Sequence, residues 1–474
     1  MVEATSLIGS SRSPKGSEGT VTVFAPYDGA EVGTAPLSGP DEAESALSLA
    51  TATFPAWSGA SRHARKALLS RIAALVNERS EELARLMAVE VGKPITWARA
   101  EVVRTGLTFG LAASLMDEPE REELPLDFDS RGPDYRCFVS RIPVGPVFGI
   151  VPYNWPYNLA AHKLAPALAA GCTIVLKPSS LAPLSTLALV GLIADAGCPP
   201  GVVGALLCSN ENAEAIVRDE RIRLVSFTGS EKVGWHLRSL VSEKPVVLEM
   251  GGDASVLVFD DADMELAVSR TVEGAYGYAG QVCISAQHAL VQSGVYESVR
   301  EQLVAAAEAV LCGDPLDEMV LCGPLVSSEA ADKVQSWVDE AERAGASVLC
   351  GGNRVGNVIE PVLVEDVPPG CKLATEEVFG PVLTLSRFET EEEAFDMVNA
   401  SRFGIHCGVF TADHARLGRA YHALDVGGVI GNDYPNLRFD NMPYGGVKRS
   451  GIGREGVRYA YDEMSLPKTL VERR

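Results

Sequence analysis

The sequence predicts an α/β fold of two doubly wound domains with a protruding β-hairpin arm. Three observations carry this. Short β-branched runs alternate with stretches of helical periodicity, which is the α/β signature. The 474 residues exceed one compact core and correspond to about three domain equivalents of ~150 residues. An extended, charged stretch, Pro125–Ile142, interrupts the first strand–helix series. In chain order, Asp41–Leu49 and Arg65–Val89 carry apolar residues at three- and four-residue spacing, which predicts two amphipathic helices. Strands are predicted at Val147–Val151, Thr173–Leu176, Val202–Leu207, Leu224–Phe227 and Val246–Leu248. Helical stretches Leu159–Ala169, Leu184–Ala196 and Asn212–Val217 lie between them, so the sheet is expected to be parallel. A second series begins near Ser255, with helices around Tyr296–Val310 and Ser327–Ala344. The expected domains are 1–124 with 143–250, then 251–447, with 125–142 and 448–474 as arm and tail.

Composition narrows the function classes. Lys and Arg number 41 against 63 acidic residues, a net charge of −22. That balance, without a clustered basic face, disfavours nucleic-acid binding. No run approaches the ~18 apolar residues of a membrane span. Met1–Thr20 is rich in Ser and Gly and lacks an apolar centre, so it reads as a loose lead-in and not a signal peptide. Ten Cys without a C-x-x-C pair read as reduced thiols, and seven scattered His form no metal pattern. A cytoplasmic, metal-independent protein is the expectation.

Two segments suit a nucleotide. Phe227-Thr228-Gly229-Ser230 ends a strand and runs into Val233-Gly234 in helical register, where Gly lets the backbone approach a phosphate and the helix start offers free N–H groups. Any tight βα turn favours Gly, so this signal is weak alone. Lys177-Pro178-Ser179-Ser180 follows a second strand at the ligand end of a parallel sheet, although a lone lysine there reads more readily as a solvated loop residue. Three polar islands flanked by Gly or Pro stand out further: Pro152-Tyr153-Asn154-Trp155-Pro156, Leu248-Glu249-Met250-Gly251-Gly252 and Gly280-Gln281-Val282-Cys283-Ile284-Ser285. A Glu ending a strand before Gly-Gly is expected to be half buried, where desolvation raises its pKa toward that of a useful base. Most cysteines are small buried hydrophobes, and Cys283 is set apart by its turn-like setting.

The segments PYNWP, LKPSS, FTGSEKVG, LEMGG, GQVCIS, EEVFGPV and MPYGGVKRSGIGREG, in this order, resemble the aldehyde dehydrogenase superfamily over essentially the whole chain. The resemblance implies Cys283 as nucleophile, Glu249 as the base that activates hydrolytic water, and Asn154 with the Cys283 N–H as oxyanion hole. It implies NAD or NADP as cofactor, with Pro152, Lys177, Ser180, Gly229, Ser230, Val233, Glu377 and Phe379 around it. Without the F-G-P-V that follows, Glu377 would read as a solvated acid. Many NAD-dependent relatives carry Glu where Ser180 stands, so NADP is expected to be accepted and even preferred. Asp253 replaces the residues usual after Gly-Gly, a change without a functional account.

Within the superfamily the chain is most similar to the branch of non-phosphorylating glyceraldehyde-3-phosphate, lactaldehyde and phosphonoacetaldehyde dehydrogenases. EVVRT (Glu101–Thr105), the Asn158/His162-Lys163 helix and NDYPNLRFDNMPYGG carry this likeness. By resemblance, Arg104 and Arg438 bind a substrate anion, while Val282 and Trp155 stand where the triose-phosphate enzymes have Arg and Tyr. Two guanidiniums would hold such an anion by forked, charge-assisted bonds; as an alternative, both are ion-pair partners in an acidic protein. Trp155, Leu159, His162, Val282 and Ile284 would line a pocket too small for long aldehydes, with His162 equally readable as a packed helix residue. The expected reaction is oxidation of a small, anionic aldehyde to its acid. A neutral hydroxyaldehyde such as lactaldehyde, or thiol-esterase chemistry, is the alternative. The arm implies a homodimer or homotetramer.

Overall fold

The computed structural model describes residues 1–474. Its first sheet has eight strands in the order 451–452, 246–249, 224–228, 147–150, 174–177, 203–205, 6–8, 11–13. The five central strands run parallel. From Val147–Ile150 the chain proceeds outward through Ile174–Lys177 and Val203–Ala205, then returns to place Leu224–Thr228 and Val246–Glu249 on the other side. The order therefore reverses between Val147–Ile150 and Leu224–Thr228, and ligands of such sheets bind outside the strand ends at that switch point. PYNWP and FTGS lie at the ends of those two strands.

The second sheet has seven strands, 347–350, 362–365, 382–388, 288–292, 255–258, 406–410 and 428–431, parallel except at the 347–350 edge. A third sheet of three antiparallel strands forms the arm: Arg121–Leu124, Tyr135–Pro143 and Ser465–Arg473.

The helix Asn158–Ala170 is buried along its whole length, Asn158, His162 and Lys163 included. Its start is held by Glu101, whose Oε1 accepts from the N–H groups of Tyr157 (2.9 Å) and Asn158 (3.0 Å). The same carboxylate is ion-paired with Lys93, and both side chains are fully buried. Glu90 likewise accepts from the first N–H groups of helix Pro183–Asp195, at Leu184 and Ser185. Buried acids thus cap helices that carry no Ser, Thr or Asp cap of their own.

Several expectations are corrected. The lead-in is ordered, because Ser6–Ile8 pairs with Val203–Ala205 and buries Leu7. Arg65–Val89 is two helices, Arg62–Glu78 and Ser80–Val91, separated at Arg79 (φ −99°, ψ 21°). Val202–Leu207 divides into Val203–Ala205 and Leu207–Cys208, the latter paired with Glu31–Ser38. The arm begins at Arg121, ahead of 125, because its first strand already pairs with Ser140. The tail segment 448–456 is not arm, since Gly451–Ile452 pairs with Leu248 and Glu249 in the first sheet. The last strand pairs with the hairpin of its own chain over nine consecutive positions.

Candidate active site

Glu249 ends its strand opposite Gly451 and beside Thr228. The turn behind it is pinned by Ser450, whose carbonyl accepts from Met250 N (2.9 Å) and whose hydroxyl donates to the Gly251 carbonyl (2.8 Å). The two glycines that follow are spacers. A Cβ at Gly251 would lie 2.1 Å from Glu377 Oε2, and one at Gly252 would lie 2.8 Å from the Cys283 carbonyl oxygen. The missing side chains thus let the Glu249 segment sit between Glu377 and the Cys283 turn.

Gln281 fixes that turn. Its side-chain oxygen accepts from Val326 N (2.9 Å) and Tyr153 Oη (3.2 Å), and its Nε2 donates to the Pro324 carbonyl (3.2 Å). Its own carbonyl accepts from Asn154 Nδ2 at 2.9 Å, which leaves the second amide hydrogen of Asn154 free. The Cys283 N–H donates to no protein acceptor. Val282 and Ile284 are buried on either side of Cys283, whose own surface is partly open. Sγ lies 2.8 Å from the Tyr444 hydroxyl. Burial pushes the Cys283 thiol up to about 12, against the pull of the Tyr444 hydrogen bond.

Glu249 is 2% exposed, and neither carboxylate oxygen has a partner. Burial pushes its carboxyl well above the ordinary range, the Glu455 charge adds to this, and Arg438, Lys163 and Arg454 oppose it. Behind it lies a network with a weak sequence signal. Lys163 donates to Ser226 Oγ (3.0 Å), Thr228 Oγ1 (2.8 Å) and Glu455 Oε1 (3.1 Å). Although burial works against it, Lys163 and Arg438 hold the Glu455 carboxyl down to about 2. Lys163 and Glu455 stand inside quoted motifs, but nothing in their spacing announces a pair 292 positions apart.

The two arginines are not the open pair that the sequence suggests. Arg104 gives Nε and Nη2 to Asp440 at 3.1 and 2.7 Å. Asp440 also accepts from Asn158 Nδ2 (3.1 Å) and contacts His162 Nε2 (2.9 Å). Burial opposes ionisation of Asp440, yet His162 and Arg104 hold its carboxyl well below the usual range. Arg438 Nη2 meets Glu455 Oε2 at 3.3 Å, its guanidinium stands 3.9 Å over the Tyr444 ring, and its buried Nε has no partner. His162 is a packed helix residue: its side chain is fully buried, its Nδ1 is unpartnered, and burial, then the Arg438 charge, push its pKa down against the pull of Asp440 and Glu455. Trp155 lies 3.7 Å from Lys93 Nζ and 5.3 Å from the Arg104 guanidinium, measured to its ring centre, so its face is occupied by cations. Leu159 is 7% exposed.

On the other side, Glu377 accepts from Gly252 N at 3.0 Å, and burial pushes its carboxyl up to about 7. Phe379, at φ 50°, sets its ring edge-on to Tyr153 with centroids 6.1 Å apart. Pro152 opens the Asn154 segment. Lys177 is buried at its strand end, while Ser180 and Ser230 are exposed and Val233 is 45% exposed. Ser230 starts the helix Glu231–Ser239 without a side-chain cap. Asp253, unexplained by sequence, accepts from Ser401 Oγ with both oxygens (2.8 and 2.7 Å), an anchor between two loops of the second domain.

A family model described as "Aldehyde dehydrogenase family" matches residues 13–470. The lactaldehyde dehydrogenase of Methanocaldococcus jannaschii is 41% identical over 409 residues, 85% of this chain and 87% of that protein. Aldehyde dehydrogenase 21 of Physcomitrella patens, solved in complex with the reaction product succinate, superposes with a TM-score of 0.96 at 38% identity, covering 99% of this chain and 98% of that one. The glyceraldehyde-3-phosphate dehydrogenase GapN of M. jannaschii, complexed with NADP, gives 0.92 at 38% identity, covering 96% and 99%. With a family match over nearly all of its length, the chain belongs to the aldehyde dehydrogenase family of NAD(P)-dependent oxidoreductases.

Proposed function

We propose that the protein oxidises a small anionic aldehyde to its carboxylic acid, with Cys283 as nucleophile, Glu249 as base and NADP accepted at least as readily as NAD. The residues present fit a dinucleotide. The uncapped first turn of Glu231–Ser239 leaves N–H donors for a phosphate beside Gly229 and Ser230. Lys177 supplies a cation, and the exposed Ser180 carries no carboxylate to repel a 2′-phosphate. Glu377 and Phe379 stand on the Cys283 side for the nicotinamide ribose and ring. When bound, the oxidised nicotinamide supplies the hydride acceptor.

The chain's own residues supply the rest. Cys283 Sγ adds to the aldehyde carbon. The Cys283 N–H and the free Asn154 amide hydrogen meet the oxygen that becomes negative, a contact worth about 3–4 kcal/mol per donor in comparable sites. The carbon on Cys283 passes from thiohemiacetal to thioester. Glu249, whose oxygens have no protein partner, takes a proton from the water that attacks it. A base in this position favours hydrolysis over transfer to a thiol acceptor.

The observation that carries the anionic substrate is Arg438. Its buried guanidinium has an unpartnered Nε and is linked to Cys283 through the Tyr444 ring. A buried donor without an acceptor is costly unless a ligand supplies one. Succinate, the reaction product bound in one similar solved enzyme, and glyceraldehyde 3-phosphate, for which another is named, each carry such an anion. A second reading, a neutral hydroxyaldehyde, is favoured by the carboxylate already facing each arginine. Steady-state kinetics with anionic and neutral aldehydes of equal length and both cofactors separates the two. Arg438→Leu is expected to raise KM for the anionic aldehyde by roughly 10- to 100-fold, as for loss of a charged hydrogen bond, and to change KM for the neutral one far less, while any fall in kcat through Glu455, Tyr444 and Cys283 is common to both. Equal effects on both refute the anionic reading, and a strong NAD preference refutes the cofactor reading.

A further inference from the structure

We propose that Tyr444 is a further catalytic residue: its hydroxyl donates to the Cys283 sulfur, easing formation of the thiolate that attacks and receiving the sulfur again as the thioester is hydrolysed. The proposal rests on Cys283 being the nucleophile and adds a residue that the motif reading passes over.

The Tyr444 hydroxyl lies 2.8 Å from Cys283 Sγ and has no other hydrogen-bond partner. The residue is 3% exposed, so the hydroxyl has little access to water. A buried phenol requires a partner. With the thiol protonated, two hydrogens and two weak acceptors face each other, and one hydrogen finds no acceptor. Once the thiol proton passes to solvent, one donor faces one acceptor and the pair is matched. Hydrogen bonds to a charged acceptor are roughly twice as strong as neutral ones.

The ring cannot easily leave. Its backbone exchanges two hydrogen bonds with Glu455 (Tyr444 N to O 3.0 Å, Glu455 N to O 2.7 Å). His406 packs against it edge-on, with centroids 5.3 Å apart and planes at 82°. His406 is in turn fixed by its Nδ1 contact to the Pro435 carbonyl at 2.8 Å. Arg438 covers the ring at 3.9 Å. A cation over the ring strengthens the phenol as a donor and favours negative charge at the sulfur beyond it.

The atoms balance around the cycle. The thiolate electron pair forms the C–S bond on attack. In hydrolysis water adds its oxygen to the acyl carbon, its proton goes to Glu249, the C–S bond breaks, and its electron pair returns to Sγ facing the Tyr444 O–H.

The test reads the sulfur directly and needs no aldehyde, so a wrong substrate class leaves it untouched. The intact enzyme is alkylated with iodoacetamide across a pH series, and modification of the Cys283 peptide is followed by mass spectrometry. Tyr444→Phe keeps the ring and removes the donor. Its alkylation midpoint is expected to rise by about one pH unit, which makes modification at neutral pH about tenfold slower. Site-specific 3-fluorotyrosine at 444, nearly isosteric and a stronger donor, is expected to move the midpoint down, which guards against a folding defect in the first variant. An unchanged or lowered midpoint in Tyr444→Phe, or an unmoved one with 3-fluorotyrosine, overturns the proposal.

Discussion

Glu249 shows how a single side chain acquires a role from its surroundings. Its carboxyl is raised well above the ordinary value, first by burial and then by Glu455. A raised carboxyl stays protonated to higher pH than an ordinary one, and only the deprotonated form can take a proton from water. Deacylation is therefore expected to accelerate as pH rises beyond the ordinary carboxylate range. In stopped-flow measurements Glu249→Gln should give one burst of reduced cofactor without steady turnover, since hydride loss precedes the step that needs the base. A variant that turns over normally removes Glu249 from this role. Cys283 owes its setting to residues far along the chain: Tyr153, Pro324 and Val326 hold Gln281 and so fix the turn, and Tyr444 and Arg438 arrive from the late loop.

At the scale of elements, the helix Asn158–Ala170 is the part on which the site depends, and it is held from outside by Glu101. Glu101 also neutralises Lys93, which is buried against Trp155 and Tyr278. Glu101→Ala therefore removes a cap and strands a buried ammonium. Removing one partner of a buried pair costs about 3–5 kcal/mol, so the urea midpoint of this variant is expected to fall clearly. Glu101→Gln keeps an acceptor for the two N–H groups and should lie between it and the wild type. A wild-type midpoint for Glu101→Ala would contradict this account. The EVVRT segment thus works through its Glu as well as its Arg. Its Arg104 faces Asp440 because Asn158 and His162 of the same buried helix also converge there.

For the whole molecule, the arm is the exposed element without a partner. Leu466, Leu470 and Val471 on its last strand are 48–56% exposed, with Ile142 and Leu124 beside them. Such an edge and face invite a second copy. Sedimentation velocity at micromolar concentration is expected to give a dimer or tetramer, and removal of residues 465–474 is expected to shift it to a smaller species. A monomeric intact chain contradicts the expectation. No helix of the fold is long and apolar enough to cross a membrane.

The sequence by itself determined the α/β class, the central parallel strands and the family, because period, β-branched runs and ordered Gly- and Pro-flanked motifs are local properties of the chain. It also marked Asn154, Glu249 and Cys283 as polar islands that only a fold could join. Tertiary structure alone decided what faces them. The ordered lead-in is a strand because an open sheet edge lies beside it, and the last strand stays with its own hairpin. Arg104 and Arg438 look alike in sequence, yet the fold gives one to Asp440 and leaves the other with an unmatched buried donor. Tyr444 reads as one more aromatic until its hydroxyl is seen on the sulfur. Pairings across more than a hundred residues leave no periodic trace in a single chain, since nothing about the spacing of two side chains records the space between them.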